Sequence, residues 1–287
     1  MKAAKPLTRS ALRRFPLPPV VDGDKESKGR ILVIAGSRNT PGAALLAATA
    51  AMRAGAGKLR MISVESIATG LGIAMPEAMV IGLPETRDGG FARSAIDEIK
   101  AHAAQATVVV AGPGMARSQT CAPIAAALCD SGTQLVLDAA LLRSIDPPRR
   151  KRQGPAPVLL PHSGELADLL DKSEESVVAD PVGCGRRAAD LYQAHVLVKG
   201  VVSHVVAADG TAWSYRGGAS GLGVSGSGDT LAGIVGGLAA RGAEPLTALL
   251  WGVLLHGEAG EALSRKVGPI GFLARQIPDE IPSLLLG

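Results

Sequence analysis

The chain has 287 residues, 47% of them hydrophobic and 20% charged, with a net charge of +4. That suffices for one large α/β domain or two small ones, but three Phe, two Tyr and two Trp are too few rings for a base-stacking nucleic-acid platform. The positive excess lies in residues 1–30 and the remainder is close to neutral, which excludes a basic nucleic-acid binder.

Cys121, Cys129 and Cys184 are an odd set at spacings that fit no metal motif. They are expected to be structural thiols in a reducing compartment. The chain holds no run of 18 uncharged apolar residues and opens on no signal-type apolar run. A cytoplasmic location is therefore expected, with neither a membrane nor a nucleic acid as partner.

Residues 1–28, with Pro6, Pro16, Pro18 and Pro19 among scattered charges, read as an extended surface arm with a turn at Asp22-Gly23. Residues 29–287 read as one domain, since no repeat or shift in composition divides them. The apolar run Ile31-Leu32-Val33-Ile34 has the character of a buried parallel strand. It ends in a loop at 36–42, and an Ala-rich helix follows from Ala43 to Ala54. Small residues at 43, 44, 47, 48, 50, 51 and 54 permit close packing of that helix. Strands are expected at 58–64, 78–83, 107–111 and 134–137, with helices between them. The strand at 107–111 ends in Gly112-Pro113-Gly114, and the strand at 134–137 ends at Asp138. Repeated strand–helix units imply a parallel sheet with helices on both faces. Ligands then sit beyond the carboxyl ends of the strands, where the loops at 36–42, 112–114 and 138–140 fall.

The basic run Arg149-Arg150-Lys151-Arg152 reads as a solvated loop. A strand at 157–160 meets Pro161-His162-Ser163-Gly164-Glu165, which opens a helix. His162 or Ser163 caps it in the plain reading, with Glu165 as the box partner. Strands at 195–199, 203–207 and 211–215 form a small hairpin set with an Asp209-Gly210 turn. Two helices, 229–240 and 245–264, close the body, and His256 reads as a satisfied core histidine. A final helix is expected to be broken by Pro278 and Pro282.

Between the hairpin set and those two helices runs Gly221-Leu222-Gly223-Val224-Ser225-Gly226-Ser227-Gly228-Asp229. Its glycines let backbone approach a ligand, and the free amides at the start of the next helix favour an anion such as phosphate. Neither the Walker A loop nor the dinucleotide fingerprint fits it. Asp229 caps the helix in the plain reading. In the functional one it takes a proton from a hydroxyl beside an anion hole.

In order, Gly36-Ser37, Pro41-Gly42-Ala43-Ala44, Ala54 to Lys58, Gly112-Pro113-Gly114, Leu137-Asp138-Ala139, Pro161 to Glu165, Lys199-Gly200, Gly226 to Asp229 and His256-Gly257 resemble the NAD(P)H-hydrate dehydratases. These are a branch of the ribokinase-like superfamily, and the match spans residues 28–265. The resemblance implies a ribokinase-like α/β fold: a central, mostly parallel sheet flanked by helices on both faces, with a small β-hairpin element near the C-terminal third. It implies repair of hydrated NADH and NADPH (NADHX and NADPHX) by dehydration of the S epimer, with ADP split to AMP and phosphate. The Pro-His-x-Gly-Glu form resembles the bacterial ADP-using branch, with ATP a possible alternative and Mg²⁺ as cofactor.

Carried over by position, the resemblance makes Asp229 the base and Gly226, Ser227 and Gly228 the anion hole. Ala43, Gly114, His162 and Asp229 would line the hydrate site. Lys199, Gly200, Val201, Val202, Ser203 and Gly228 would bind the nucleotide, and Glu165 would hold Mg²⁺ through water. It further implies a homo-oligomer, commonly a tetramer, and a separate epimerase to supply the S epimer, since 1–28 are too few residues for the epimerase domain fused in some relatives. Ala140 stands where the family commonly has a second acid, which bears on metal handling. The competing readings are a ribokinase-like kinase of a vitamin alcohol and a nucleotide-binding regulator without turnover.

Overall fold

The computed structural model describes residues 3–19, 29–148 and 154–286. The turn expected at Asp22-Gly23 and the basic run at 149–152 lie outside them. Ten strands form one sheet: β1 (Lys5–Pro6), β2 (Arg30–Ile34), β3 (Lys58–Val64), β4 (Ala78–Leu83), β5 (Val108–Ala111), β6 (Gln134–Leu137), β7 (Val158–Leu159), β8 (His195–Val198), β9 (Ser203–Val206) and β10 (Ala212–Tyr215). Their spatial order is β1-β10-β9-β8-β7-β6-β5-β2-β3-β4. Every pairing is parallel except the two made by β9, which runs antiparallel to β8 and to β10. The hairpin set is therefore no separate element; it carries the main sheet onward. Its turn is the expected one, with Gly210 at φ +80° and Ala207 N–H donating to Thr211 O at 2.8 Å.

Strand side chains alternate between faces, and each face has its own core. Ile31 and Val33 of β2 join one cluster, Leu32 and Ile34 the other. The first face carries α2 (Pro41–Arg53), α3 (Glu65–Ala74), α9 (Ser227–Ala240), α10 (Pro245–Lys266) and α11 (Ile277–Leu284). The second carries α4 (Ile96–Ala103), α5 (Cys121–Cys129), α6 (Ser163–Leu170), α7 (Glu174–Ala179) and α8 (Pro181–Tyr192). With few rings available, both cores are built from Ala, Val, Leu and Ile.

Where an extended arm is expected, residues 5–12 form β1 and the short helix α1 (Arg9–Leu12). The cause is apolar: Leu7 and Leu12 are buried in the first core. Phe15 meets Trp213 edge-on with centroids 5.6 Å apart, and Trp251 Nε1 donates to Phe15 O at 2.7 Å. The segment also covers a sheet edge that would otherwise present unpaired backbone. The final helix is not broken. Pro278 sits in its first turn, where no amide donor is needed, and Pro282 is accommodated inside its short span. All three cysteines are free, two of them buried.

The contact that positions the site is α2 against α9. A Cβ on Gly233 would lie 2.2 Å from Ala47 O, and one on Gly237 would lie 2.3 Å from Ala51 O. Such distances require backbone against backbone, which the small residues of both helices allow. The register advances by four residues on each helix, so the two run parallel. Asp229 lies one turn before Gly233 on α9, as Ala43 lies one turn before Ala47 on α2.

Candidate active site

At the carboxyl end of the sheet, Gly226 forms the N-cap of α9 with φ +90°. A Cβ there would stand 2.4 Å from Leu46 Cδ1, so both backbone conformation and space demand glycine. Asp229 is the third residue of the helix rather than its cap, and no side chain caps this terminus. Its Oδ2 lies 3.9 Å from the point a Gly226 Cβ would occupy, so the carboxylate leans back over the loop. Among the described residues, no carbonyl accepts from the amides of Gly226, Gly228 or Asp229. The amide of Ser227 differs: it donates to Val224 O at 3.2 Å. Free amides thus flank Ser227 on either side.

Ser227 is held instead by α10. His256 Nε2 lies 3.1 Å from both the Oγ and the carbonyl oxygen of Ser227. That carbonyl also accepts the Thr230 hydroxyl at 2.7 Å. Burial pushes the imidazole down to about 4, so it is neutral at physiological pH. His256 is half-buried rather than part of either core, and the expected partner of its ring is the loop itself.

The second wall comes from 36–42 and 112–114. Gly36 N–H donates to Pro113 O at 2.8 Å, and Thr40 Oγ1 donates to Gly114 O at 2.5 Å. Gly114, at φ +61°, touches α2 so closely that a Cβ would meet that of Ala43 at 2.4 Å. Ala43 and Gly114 are therefore brought together in the first turn of α2.

The third wall is polar. His162 is the N-cap of α6 and Glu165 its box partner: His162 Nδ1 accepts from Gly164 N–H at 3.1 Å, and Glu165 Oε2 accepts from His162 N–H at 2.9 Å. The capping reading is met in full. It also fixes Glu165, only 6% exposed, toward the sheet edge, where Oε2 lies 3.9 Å from Lys199 Nζ. Lys199 directly follows β8 and pairs with Asp138 Oδ1 at 2.8 Å. Burial lowers the affinity of this ammonium for its proton, but Asp138 and then Glu165 outweigh burial and the net shift is upward. Gly200, Val201, Val202 and Ser203 form the turn from Lys199 to β9, with Val201 99% exposed. Ala140 is buried in the second core, which leaves Asp138 as the one carboxylate of its turn.

Asp229 is pushed up to about 7, first by burial and then by the charge of Asp138, with Lys199 opposing both. A carboxylate that binds and releases a proton near neutrality, over a hollow of free amides, suits proton removal from a hydroxyl as it attacks a phosphoryl group. Sequence reasoning left Asp138 without a role and missed the Ser227–His256 link. An acid at the carboxyl end of a central strand was the available signal for the first. Nothing local marked the second.

A family model described as NAD(P)H-hydrate dehydratase matches residues 31–283. The ADP-dependent (S)-NAD(P)H-hydrate dehydratase of Xanthomonas campestris pv. campestris is 46% identical over 282 residues, covering 97% of this chain and 95% of that one. The bifunctional NAD(P)H-hydrate repair enzyme of Moorella thermoacetica is 34% identical over 92% of this chain and 50% of its own length, so the chain spans about half of that relative. Among solved structures, the ADP/ATP-dependent NAD(P)H-hydrate dehydratase from Bacillus subtilis, co-crystallized with ATP/Mg²⁺, aligns with a TM-score of 0.83 at 26% identity, covering 99% and 98% of the two chains.

Proposed function

The chain belongs to the NAD(P)H-hydrate dehydratase family, and on that premise we propose that it is an ADP-dependent (S)-NAD(P)H-hydrate dehydratase with a ribokinase-like fold. The observation that carries the reading is the placement of Asp229 over the free amides of Gly226 and Gly228.

Hydroxide is a poor leaving group and a phosphate ester a good one. Asp229 accepts the proton of the hydrate hydroxyl as its oxygen attacks the terminal phosphoryl of ADP. One O–P bond forms, the bond to AMP breaks, and the amides of Gly226 and Gly228 hold the charge on the transferred group. The ring nitrogen's lone pair then expels phosphate, and loss of a proton from the neighbouring carbon restores the dihydronicotinamide. The sum is hydrate plus ADP giving reduced cofactor, AMP and phosphate. Ala43, Gly114 and His162 line the hydrate's side, and Lys199 to Ser203 with Gly228 line the nucleotide's.

Glu165 fits a magnesium ion that arrives with the nucleotide. One carboxylate oxygen is taken by the capping box; the other, 3.5 Å from His162 Nε2, has a lone pair to accept from a water on an ion that keeps most of its own waters. Among the described residues no group of three His, Cys, Asp or Glu side chains is arranged to hold a resident metal. When bound, the ion neutralises phosphate charge. No helix among the described residues is long and apolar enough to cross a membrane. We further propose cytoplasmic work as a homotetramer, alongside a separate epimerase.

The test supplies hydrated NADH or NADPH, Mg²⁺ and either ADP or ATP, and follows recovery of reduced-nicotinamide absorbance. Recovery with equimolar AMP supports the reading. No recovery above the spontaneous rate refutes it, and a stable phosphate monoester in place of reduced nicotinamide identifies a small-molecule kinase instead.

A further inference from the structure

Asp138 takes no part in the steps above, yet the fold goes to some length to place it. Its carboxylate is buried, 3% exposed as a side chain, at the carboxyl end of β6. The next residue, Ala139, stands at φ +49°, a conformation that non-glycine residues seldom adopt outside functional turns. On its other side the backbone of Gly112 approaches so closely that a Cβ there would lie 1.8 Å from Asp138 O. This strained turn aims the side chain at the start of α9: measured from the point a Gly228 Cβ would occupy, Lys199 Nζ is 3.6 Å away and Asp138 Oδ2 is 3.8 Å away. The Asp138–Lys199 pair therefore lies directly beneath the loop that receives the phosphoryl group.

Resting on the dehydratase reading, we propose that Asp138 is a positioning residue: it pins the Lys199 ammonium against Gly228, where it serves the incoming phosphate, and keeps that ammonium from pairing with Asp229. Lys199 has three carboxylates within its field, at Asp138, Glu165 and Asp229. Glu165 is 3.9 Å from it and tied to the cap of α6. If Asp138 is neutralised, Asp229 is the mobile competitor. An ammonium drawn to Asp229 stabilises its charged form and weakens it as a base. The groups facing Asp229 are Asp138 from β6 and Lys199 from β8, with Glu165 of α6 behind Lys199. His256 of α10 meets the loop at Ser227 and is neutral.

The experiment compares wild type, Asp138→Asn, Lys199→Met and the double variant, with circular dichroism as a check on folding. Two quantities are read: the pH dependence of kcat, and the titration of the Asp229 carboxylate by carbon-13 NMR without substrate. In Asp138→Asn the Asp229 titration and the limb it produces should move toward acid by at least ~1 pH unit, with kcat lower on the plateau. In the double variant both should return toward the wild-type position, because the competing ammonium is gone. An Asp138 that acts only through its own charge would also move the titration toward acid, but Lys199→Met would then shift Asp229 toward alkali equally with and without Asp138, whereas positioning requires the larger shift in the Asp138→Asn background. An unmoved titration in Asp138→Asn, or a double variant that does not recover, overturns the proposal. If Asp138→Asn does not fold, Asp138→Ser takes its place in the same four-way comparison. Absence of repair activity in wild type, with the titrations shifting as stated, refutes the dehydratase reading and leaves the pair standing.

Discussion

His256 Nε2 stands 3.1 Å from both the hydroxyl and the carbonyl oxygen of Ser227, which ties the long helix α10 to the residue between the two free amides of the loop. The contact holds the loop and leaves the amides of Gly226 and Gly228 uncovered. His256→Ala should lower kcat about 10- to 100-fold while the KM for the hydrate stays within about twofold. It should also cost about 1–3 kcal/mol of stability by stranding buried polar groups. His256→Gln, which can reach the same partners, should recover part of both. Steady-state kinetics and denaturant unfolding measure these effects; unchanged kcat in a folded His256→Ala variant removes the role.

Asp229 is pushed up to about 7, which fixes two pH dependences. As the proposed base, Asp229 acts in its charged form, so kcat/KM, which reports the free enzyme, should rise with pH and be half-maximal near 7. Stability runs the other way. Between about 4 and 7 the folded state binds the Asp229 proton and the unfolded state does not, so this group's contribution falls as pH rises through 7 and is at its most favourable below about 4. Asp229→Asn should therefore raise the melting temperature at pH 8, by ~3–6 °C, and change it little at pH 4. Calorimetry at the two pH values checks the sign.

Gly233 and Gly237 press the backbone of α9 onto that of α2. Gly233→Ala should destabilise by about 1–3 kcal/mol or more through overpacking, despite alanine's better helix propensity. Because Asp229 sits one turn ahead on the same helix, kcat should fall as well. Gly70→Ala on α3, where a Cβ meets nothing within 4 Å, serves as the control and should be neutral or stabilising.

Much of this was legible locally. Ile31 to Ile34 read as a buried parallel strand because both faces of the sheet are covered, and the small residues of the first long helix read as a packing surface. The glycine loop announced an anion hole ahead of Asp229. What stayed hidden depends on chain partners far apart. Lys199 and Asp138 lie 61 residues apart in sequence and meet because β7 alone separates β6 from β8. His256 finds Ser227 across 29 residues through the packing of two helices. The pairing of Lys5–Pro6 with β10 could not be read from two residues, one of them proline, since it rests on burial of Leu7 and Leu12.

Val201 is almost fully exposed in the turn proposed to meet the nucleotide. Val201→Asp should leave stability within about 0.5 kcal/mol but raise the KM for ADP about tenfold or more by placing a like charge beside the phosphates, with the hydrate KM unchanged. Equal KM values for ADP in the two proteins would assign the nucleotide elsewhere.

The most direct measurement of the central claim is the turnover of Asp229→Asn with hydrated NADH and ADP, paired with its affinity for AMP by calorimetry. The expected result is a fall in kcat of about 10²–10⁴-fold with AMP affinity within about threefold of wild type. Turnover at the wild-type rate would contradict the account, because proton removal would then belong to some other group.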